Sequence, residues 1–281
     1  MGYVESNDGA RIHYHVEGRK AGEPVLLIQG LGVDSRGWLL QRFALARSYR
    51  VISIDNRGTG RSDKPVGPYD LEQLARDALA VLDAEQLDSA HIVGASMGGI
   101  IAQIIAVRHP DRVRSLVLAC TGCHHQRWRR ELLDEWAALA QAQGMRAFAR
   151  ANLRWLVGPR SLRRFAPALG VLTPLAMSAP THAFVAQVHA ILDMDDGLRA
   201  LLPTIDVPVL VLVGSQDVLT PLGDSEEIAE LIPDAELAVV QGAAHGFMLE
   251  AAPRFNRLVA EFLARATANR DANLLGIAAT A

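Results

Sequence analysis

Three residues that together can activate a serine occur along the chain in the order Ser96, Asp217, His245. Ser96 is the centre of a G-x-S-x-G pattern, GASMG at 94–98, which stands between an apolar run and a segment of helical character. Asp217 follows the apolar run 208–214, and His245 follows the next apolar run. A serine hydroxyl becomes nucleophilic when a histidine accepts its proton and a carboxylate orients that histidine. The sequence therefore predicts attack on a carbonyl carbon, with Ser96 as nucleophile, His245 as base and Asp217 as the orienting acid.

The residues around Ser96 also predict a site for the negative charge that such an attack creates. Gly94 and Gly98 permit a tight turn that projects the serine away from the chain. The helix that follows presents free backbone N–H groups toward a developing oxyanion. A second donor is expected from the loop QGLG at 29–32, so we assign the oxyanion hole to the backbone N–H groups of Leu31 and Met97.

The elements that must position these residues alternate between strand-like and helix-like segments. The turn signal NDG at 7–9 separates two β-rich runs and predicts an N-terminal hairpin. Six apolar runs predict buried strands at 24–29, 49–55, 90–95, 113–120, 208–214 and 235–242. Apolar residues at helical spacing follow a capping pattern at Asp70 and Gln73, and they recur from Phe255 to Leu263.

This alternation predicts the fold class. Strands that are apolar throughout need a sheet that is covered on both faces. The pattern therefore predicts an α/β fold with a mostly parallel, doubly wound sheet. Catalytic groups of such sheets gather beyond the carboxyl ends of the strands, which would bring Ser96, Asp217 and His245 to one crevice.

The alternation lapses in the middle of the chain. Residues 123–202 have no strand-like run, and four prolines break their helical pieces. We therefore predict a helical lid (cap) at 123–202, inserted into a core formed by 1–122 and 203–281. Nine arginines lie in 123–164 against three acidic residues. A solvated helix face explains them most simply, and the alternative is that one or two of them bind an anionic group of the substrate.

Composition and charge argue against several classes of protein. The 281 residues are 50% hydrophobic and 21% charged, with a formal net charge of −3, which gives no reason to expect nucleic acid or an anionic membrane as partner. No apolar run reaches the ~18 residues that span a bilayer, and no signal peptide is readable. Two cysteines in such a chain indicate a reducing compartment and cannot form a zinc ribbon. We expect a cytoplasmic protein that acts on a small molecule, and the oligomeric state cannot be read from the sequence.

Two motifs resemble those of a known superfamily. The run IDNRGTGRSDKP at 54–65 is similar to the D-x-R-G-x-G-x-S signature of the α/β hydrolases, and we take its polar residues and glycines as scaffold. The run HGFMLEAAPRFN at 245–256 resembles the histidine motif of 3-oxoadipate enol-lactonase-like esterases. The resemblance covers nearly the whole chain. It implies an α/β-hydrolase fold and hydrolysis of an ester or lactone through an acyl-enzyme, without a cofactor.

Departures from this pattern leave alternatives open. Gln29-Gly30 stands where those esterases usually have His-Gly, which puts the anchoring of the oxyanion loop in question. The elbow reads S-M-G-G, which is also usual in C–C bond hydrolases of ring-cleavage products. Those hydrolases typically carry Trp after the catalytic histidine, where this chain has Gly246, so we favour an ester or lactone. A catalytically silent ligand-binding protein is a further alternative, and the complete set of Ser, His and Asp argues against it.

The run CTGCHH at 120–125 contains C-x-x-C-H, the attachment pattern of c-type haem. Attachment of that haem would need export, and no second C-x-x-C completes a zinc site, so we predict neither haem nor metal. Cys120 ends a predicted core strand and is expected in the pocket wall, and His124 and His125 are expected on the surface where the lid begins. Further wall candidates are Gly30, Leu219 and Phe247. Lid aromatics that could contribute to an acyl pocket are Trp128, Trp136, Phe148, Trp155 and Phe184.

Overall fold

The computed structural model describes residues 1–159, 161–163, 177–194 and 197–274, and its centre is one eight-stranded sheet. The strands are β1 (Gly2–Glu5), β2 (Arg11–Gly18), β3 (Pro24–Ile28), β4 (Arg50–Ile54), β5 (Ala90–Ala95), β6 (Val113–Ala119), β7 (Val209–Gly214) and β8 (Glu236–Val240). Their order across the sheet is β1-β2-β4-β3-β5-β6-β7-β8. Six neighbouring strands are parallel to one another: β4, β3, β5, β6, β7 and β8. Strands β1 and β2 form an antiparallel edge beside them. The predicted hairpin, six strands and mostly parallel sheet are confirmed.

Helices cover both faces of this sheet. They are α1 (Leu39–Leu45), α2 (Leu71–Ala84), α3 (Met97–Arg108), α4 (Arg127–Leu156), α5 (Thr181–Leu192), α6 (Gly197–Leu201), α7 (Leu222–Leu231), α8 (Phe247–Glu250) and α9 (Ala252–Leu274). Short 3₁₀ turns occupy Ser35–Trp38, Pro110–Arg112 and Leu202–Thr204. Asp70 caps α2 by accepting a hydrogen bond from the N–H of Gln73, as its position in the sequence predicts.

The apolar residues of the strands separate into two cores because side chains alternate along a strand. In β3, Leu26 packs into the core that contains α2 and α3, and its neighbour Leu27 packs into the core that contains α1 and α9. Every residue of β3, β5 and β7 is buried. This is the burial that a central strand of a two-sided sheet requires.

Helices α4, α5 and α6 lie between β6 and β7 along the chain. Helix α4 is interrupted at Gly144, whose φ of 78° and ψ of 166° are not helical. Its second half packs on α5 through the rings of Phe148 and Phe184, whose centroids are 4.6 Å apart. Trp136 of its first half packs on Phe148 at 5.5 Å. The division into a core and a lid stays a prediction, and Arg160 and Arg164 of the arginine-rich segment lie outside the described residues.

Within the described part of the chain, no helix combines the length and the apolar character that crossing a membrane requires.

Candidate active site

Ser96 lies at the sharp turn from β5 into α3. Its backbone has φ 55° and ψ −121°, a conformation that is strained for a residue with a side chain and is typical of a nucleophile elbow. The turn is fixed on both sides: the Ser96 N–H donates to the Ala119 carbonyl at 2.9 Å, and the Ser96 carbonyl accepts from the Thr121 hydroxyl at 2.8 Å. The backbone therefore holds the serine in place without any contribution from its hydroxyl.

The glycines at the flanks of the elbow are required by close contacts between main chains. A Cβ atom on Gly94 would overlap the Gly98 carbonyl oxygen, and one on Gly98 would overlap the carbonyl oxygen of Ile28 in β3. The absence of both side chains lets α3 begin directly against the carboxyl ends of β3 and β5. The predicted elbow glycines thus occupy positions that only glycine fits.

Asp217 and His245 meet beyond the carboxyl ends of β7 and β8. His245 Nδ1 is 2.8 Å from Asp217 Oδ2, and both side chains are buried. The other oxygen, Asp217 Oδ1, accepts hydrogen bonds from the backbone N–H groups of Leu219 and Thr220 at 2.9 and 3.0 Å. The carboxylate therefore has a fixed orientation, and it selects the histidine tautomer that carries its proton on Nδ1 and leaves Nε2 free to accept a proton.

Thr220 is a member of this arrangement that the sequence reasoning missed. Its hydroxyl donates to Asp217 Oδ2 at 2.8 Å and lies 3.2 Å from His245 Nδ1. The sequence signal that could have identified it is the position of a threonine three residues after the predicted acid, on the turn that begins at that acid. The hydroxyl contacts both partners and restricts their relative position.

Ser96 and His245 line the same cavity. The structure gives no hydrogen bond between their side chains, and such bonds commonly tighten only when substrate is bound. Leu31 and Met97 line this cavity as well. Neither of their backbone N–H groups has a hydrogen-bond partner among the described residues, which is the state that an oxyanion donor needs.

Gln29 anchors the loop that carries Leu31. Its side-chain oxygen accepts a hydrogen bond from the N–H of Gly30 at 2.9 Å, and its carbonyl accepts one from the side chain of Asn56 at 2.8 Å. Asn56 belongs to the 54–65 motif, so the motif that we took as scaffold holds the loop that carries Leu31. Gln29 thus gives this loop a local anchor where the esterases it resembles have histidine.

The cavity has a volume of about 540 Å³, within the range of ordinary ligand pockets. The predicted wall residues Gly30, Cys120 and Leu219 line it. Phe247 does not: it is fully buried and packs its ring on Phe255, 5.5 Å away. The chain enters α8 immediately after His245, so Phe247 turns toward the core, and the following residues Met248 and Leu249 face the cavity instead.

Of the five aromatic residues of the predicted lid that were candidates for the pocket, three line the cavity: Trp136, Phe148 and Phe184. Trp128 is about a third exposed, and neither it nor Trp155 is among the described wall residues. Cys120 is fully buried, and burial, together with the negative charge of Asp217, raises the pKa of its thiol well above the ordinary value. The Cys120 thiol is therefore a neutral part of the wall.

Arg129 is the only arginine or lysine among the described residues that line the cavity. Its guanidinium forms a buried ion pair with Asp224 and donates to the Leu219 carbonyl at 2.9 Å and to the His124 carbonyl at 3.2 Å. These bonds fix the beginning of α4 to the loop that carries Asp217. At the other end of α4, the Leu156 carbonyl accepts from the N–H of Gly246 at 2.7 Å.

Glu250 adds a second contact between that end of α4 and the segment that carries His245. Both of its carboxylate oxygens accept from the N–H of Gly158 at 3.1 Å, and one accepts from the N–H of Ala244 at 3.3 Å. The two ends of α4 are thus bound to two different loops, one with the candidate acid and one with the candidate base.

The CTGCHH run is placed differently from the prediction. His125 lines the cavity, and both of its ring nitrogens are buried. Burial, followed by the charges of Arg129 and Arg130, lowers the pKa of His125 to about 3. The prediction of a surface position for His125 was wrong, because its ring lies in the cavity wall beside the beginning of α4, where the His124 carbonyl accepts from Arg129.

One group of side chains could hold a metal ion. The ligand atoms of Cys123, His124 and Glu227 lie within 4.8 Å of one another. His124 Nδ1 is 2.9 Å from one Glu227 oxygen, and the Arg199 side chain is 2.6 Å from the other. None of these three side chains is among the described wall residues of the cavity. Glu227 thus already has Arg199 as a cationic partner, and the absence of a metal stays a prediction.

Comparison with known proteins places the chain in a family. A family model described as alpha/beta hydrolase fold matches residues 23–157, and one described as TAP-like protein matches residues 195–273. A putative carbamate hydrolase RutD of Azorhizobium caulinodans is 33% identical over 267 residues, which are 93% of this chain and 98% of that protein. The 3-oxoadipate enol-lactonase 2 of Acinetobacter baylyi is 30% identical over 88% of this chain and 91% of its own length.

A solved structure agrees with these relatives. The enol-lactonase from Burkholderia xenovorans LB400 superposes with a TM-score of 0.87 at 30% identity, covering 94% of this chain and all of that one. The chain belongs to the α/β hydrolases and is a hydrolase similar to the enol-lactonases, as its motifs indicated.

Proposed function

We propose that this α/β hydrolase cleaves a carboxylic ester or lactone through an acyl-enzyme formed on Ser96. The observation that carries the proposal is the pair formed by Asp217 and His245, which opens into the cavity where Ser96 sits on a strained elbow. Relatives named for a lactone and for a carbamate support it, because both kinds of substrate present a carbonyl carbon to a nucleophile.

In the proposed first step, His245 Nε2 accepts the proton of the Ser96 hydroxyl as the oxygen attacks the carbonyl carbon. Asp217 stabilises the resulting imidazolium and keeps its proton on the histidine. The carbonyl oxygen becomes an oxyanion, which the N–H groups of Leu31 and Met97 bind. Each such donor commonly contributes about 3 kcal/mol toward the transition state.

The tetrahedral intermediate then breaks down. His245 gives its proton to the leaving alkoxide, and the acyl group remains on Ser96. In a lactone the leaving oxygen stays attached to the acyl chain, so no fragment departs at this stage. Water, deprotonated by His245, attacks the acyl-enzyme, and the free acid leaves with Ser96 restored. No step needs a metal or an organic cofactor.

We also propose that residues 123–202 act as a lid over this site. Helix α4 and helix α5 supply much of the described cavity wall, and both ends of α4 are bound to the loops that carry the candidate acid and base. Closure of such a segment excludes water from the reacting atoms.

The experiment that tests the reaction type is intact mass after incubation with a fluorophosphonate, with wild type beside Ser96→Ala. One adduct on wild type and none on the variant would support an activated Ser96. The rates of hydrolysis of 4-nitrophenyl acetate and of a simple lactone are then measured on the same samples. Labelling without ester or lactone turnover would favour the C–C hydrolase, and a well-folded wild type that is not labelled would favour the silent binding protein.

A further inference from the structure

We propose that the site takes an uncharged ester or lactone whose acyl group is apolar and lies between α4 and α5. This inference rests on the proposed function and names its substrate class. It is carried by two features of the described cavity wall: apolar side chains on α4 and α5 that line the same cavity as Ser96, and charged side chains that already have partners.

The apolar surface comes from both helices. Trp136, Phe148 and Leu153 contribute from α4, and Phe184 and Ile191 contribute from α5. Phe148 lies between the rings of Trp136 and Phe184, so the aromatic surface is rigid. An acyl chain against these rings gains the free energy of leaving water, and each methylene buried raises kcat/KM by about three- to fourfold.

The charged groups of the described wall are not available to a substrate carboxylate. The guanidinium of Arg129 is held by Asp224 and by two backbone carbonyls. Glu250 accepts from backbone N–H groups, and it would repel an anion.

A substrate carboxylate in this cavity would therefore lose its water without gaining a cationic partner from the described wall residues. Burial of an ionised group without a partner is strongly unfavourable. The same wall accepts a methyl group at the end of the chain without such a cost. The geometry thus favours an apolar acyl terminus over a carboxylate of the same length.

The decisive measurement is kcat/KM for two matched substrates, 4-nitrophenyl hexanoate and mono-4-nitrophenyl adipate. They have the same chain length and leaving group and differ in a terminal methyl or carboxylate. We expect the hexanoate to exceed 4-nitrophenyl acetate by at least about tenfold and to exceed the adipate ester by at least about 100-fold. A kcat/KM for the adipate ester within threefold of that for the hexanoate would overturn the inference.

A pair of variants tests the position of the acyl chain. Ala149 lines the cavity from α4, and Ala151 on the same helix is exposed and lies outside the described wall. Ala149→Leu should lower kcat/KM for the hexanoate at least tenfold while changing that for the acetate by less than threefold. Ala151→Leu should change neither. Equal losses on both esters with Ala149→Leu would place the acyl chain elsewhere.

The acetate separates this inference from the proposed function. If wild type cleaves neither acetate nor hexanoate and is not labelled by fluorophosphonate, the proposed function fails. If it cleaves the acetate without any preference for the longer chain, the function stands and the substrate class proposed here is wrong.

Discussion

The hydroxyl of Thr220 offers a sharp test of how the candidate acid and base are held together. Thr220→Val keeps the size and branching of the side chain and removes only the hydroxyl that contacts Asp217 Oδ2 at 2.8 Å and His245 Nδ1 at 3.2 Å. The backbone N–H of residue 220, which also binds Asp217, is retained in the variant. The change is thus confined to one oxygen atom.

The size of the effect follows from what Asp217 keeps. A hydrogen bond to a charged group contributes about 1.5–3 kcal/mol. Asp217 retains three other donors, the N–H groups of residues 219 and 220 and His245 Nδ1, so the lower half of that range applies. At about 1.4 kcal/mol for each factor of ten, we expect kcat to fall about 10- to 50-fold. KM should change by less than threefold, because the variant alters the relative position of Asp217 and His245 and leaves the residues that bind the acyl group in place.

The assay is the initial rate of 4-nitrophenyl butanoate hydrolysis, normalised to active sites counted by fluorophosphonate labelling. Thr220→Ser restores the hydroxyl without the methyl group and should recover kcat to within about threefold of wild type. A Thr220→Val enzyme with kcat within twofold of wild type would refute the positioning role. A Thr220→Ser enzyme as slow as Thr220→Val would show that a hydroxyl alone does not restore the rate and that the methyl group is also needed to hold it in position.

Four further changes test other parts of the structure. Asp217→Asn should lower kcat by about 10³- to 10⁴-fold with the fold intact, because it favours the wrong histidine tautomer, and a near-normal kcat would transfer the role of acid to another residue. Gly98→Ala should lower the melting temperature sharply or prevent folding, since its Cβ overlaps the Ile28 carbonyl; Gly223→Ala, at an open position, is the control. Asp224→Asn leaves Arg129 without its carboxylate partner, so the ratio of kcat/KM for the hexanoate to kcat/KM for the adipate ester should fall at least tenfold. Glu227→Gln, on the same helix, is the control and should leave this ratio unchanged. His91, buried near Glu23, Arg114 and Arg270, contributes to the pH dependence of the free energy of unfolding, measured by urea titration between pH 7.5 and 4.

The sign of the His91 effect follows from its pKa. Burial lowers that pKa to about 4, whereas the unfolded chain binds the proton at about 6.5. His91 therefore destabilises the fold progressively as the pH falls from 6.5 to about 4, by a total of about 3 kcal/mol. His91→Gln should remove this part of the pH dependence, and an unchanged slope in that variant would show that His91 is not the group responsible.

The sequence predicted the sheet, and it pointed to the three candidate catalytic residues, because the signals for both are local. Apolar runs of strand length, glycines at a tight turn and polar residues directly after a strand can all be recognised within a few residues. The parallel sheet then brings strand ends together whatever the loops between them do. Ser96 and His245 accordingly line one cavity, and Asp217 contacts His245 Nδ1 at 2.8 Å.

The sequence did not predict the residues whose positions depend on α4. Arg129 was one of nine arginines, and only the course of the helix over the sheet distinguishes it as buried and paired. His125 was expected on the surface for the same reason. Phe247 was wrongly expected in the cavity wall, because the face that a short helix turns inward cannot be read from four residues.

The two ends of α4 suggest how specificity can be exchanged between relatives. The first half of the helix is attached to the acid loop by Arg129, the second half is attached to the base loop through Leu156 and its neighbours, and Gly144 separates them. The two halves also pack on each other through the rings of Trp136 and Phe148. We therefore expect an exchange of α4 between relatives to succeed only when both halves are exchanged together with their anchors, while the sheet and its strand ends are left unchanged.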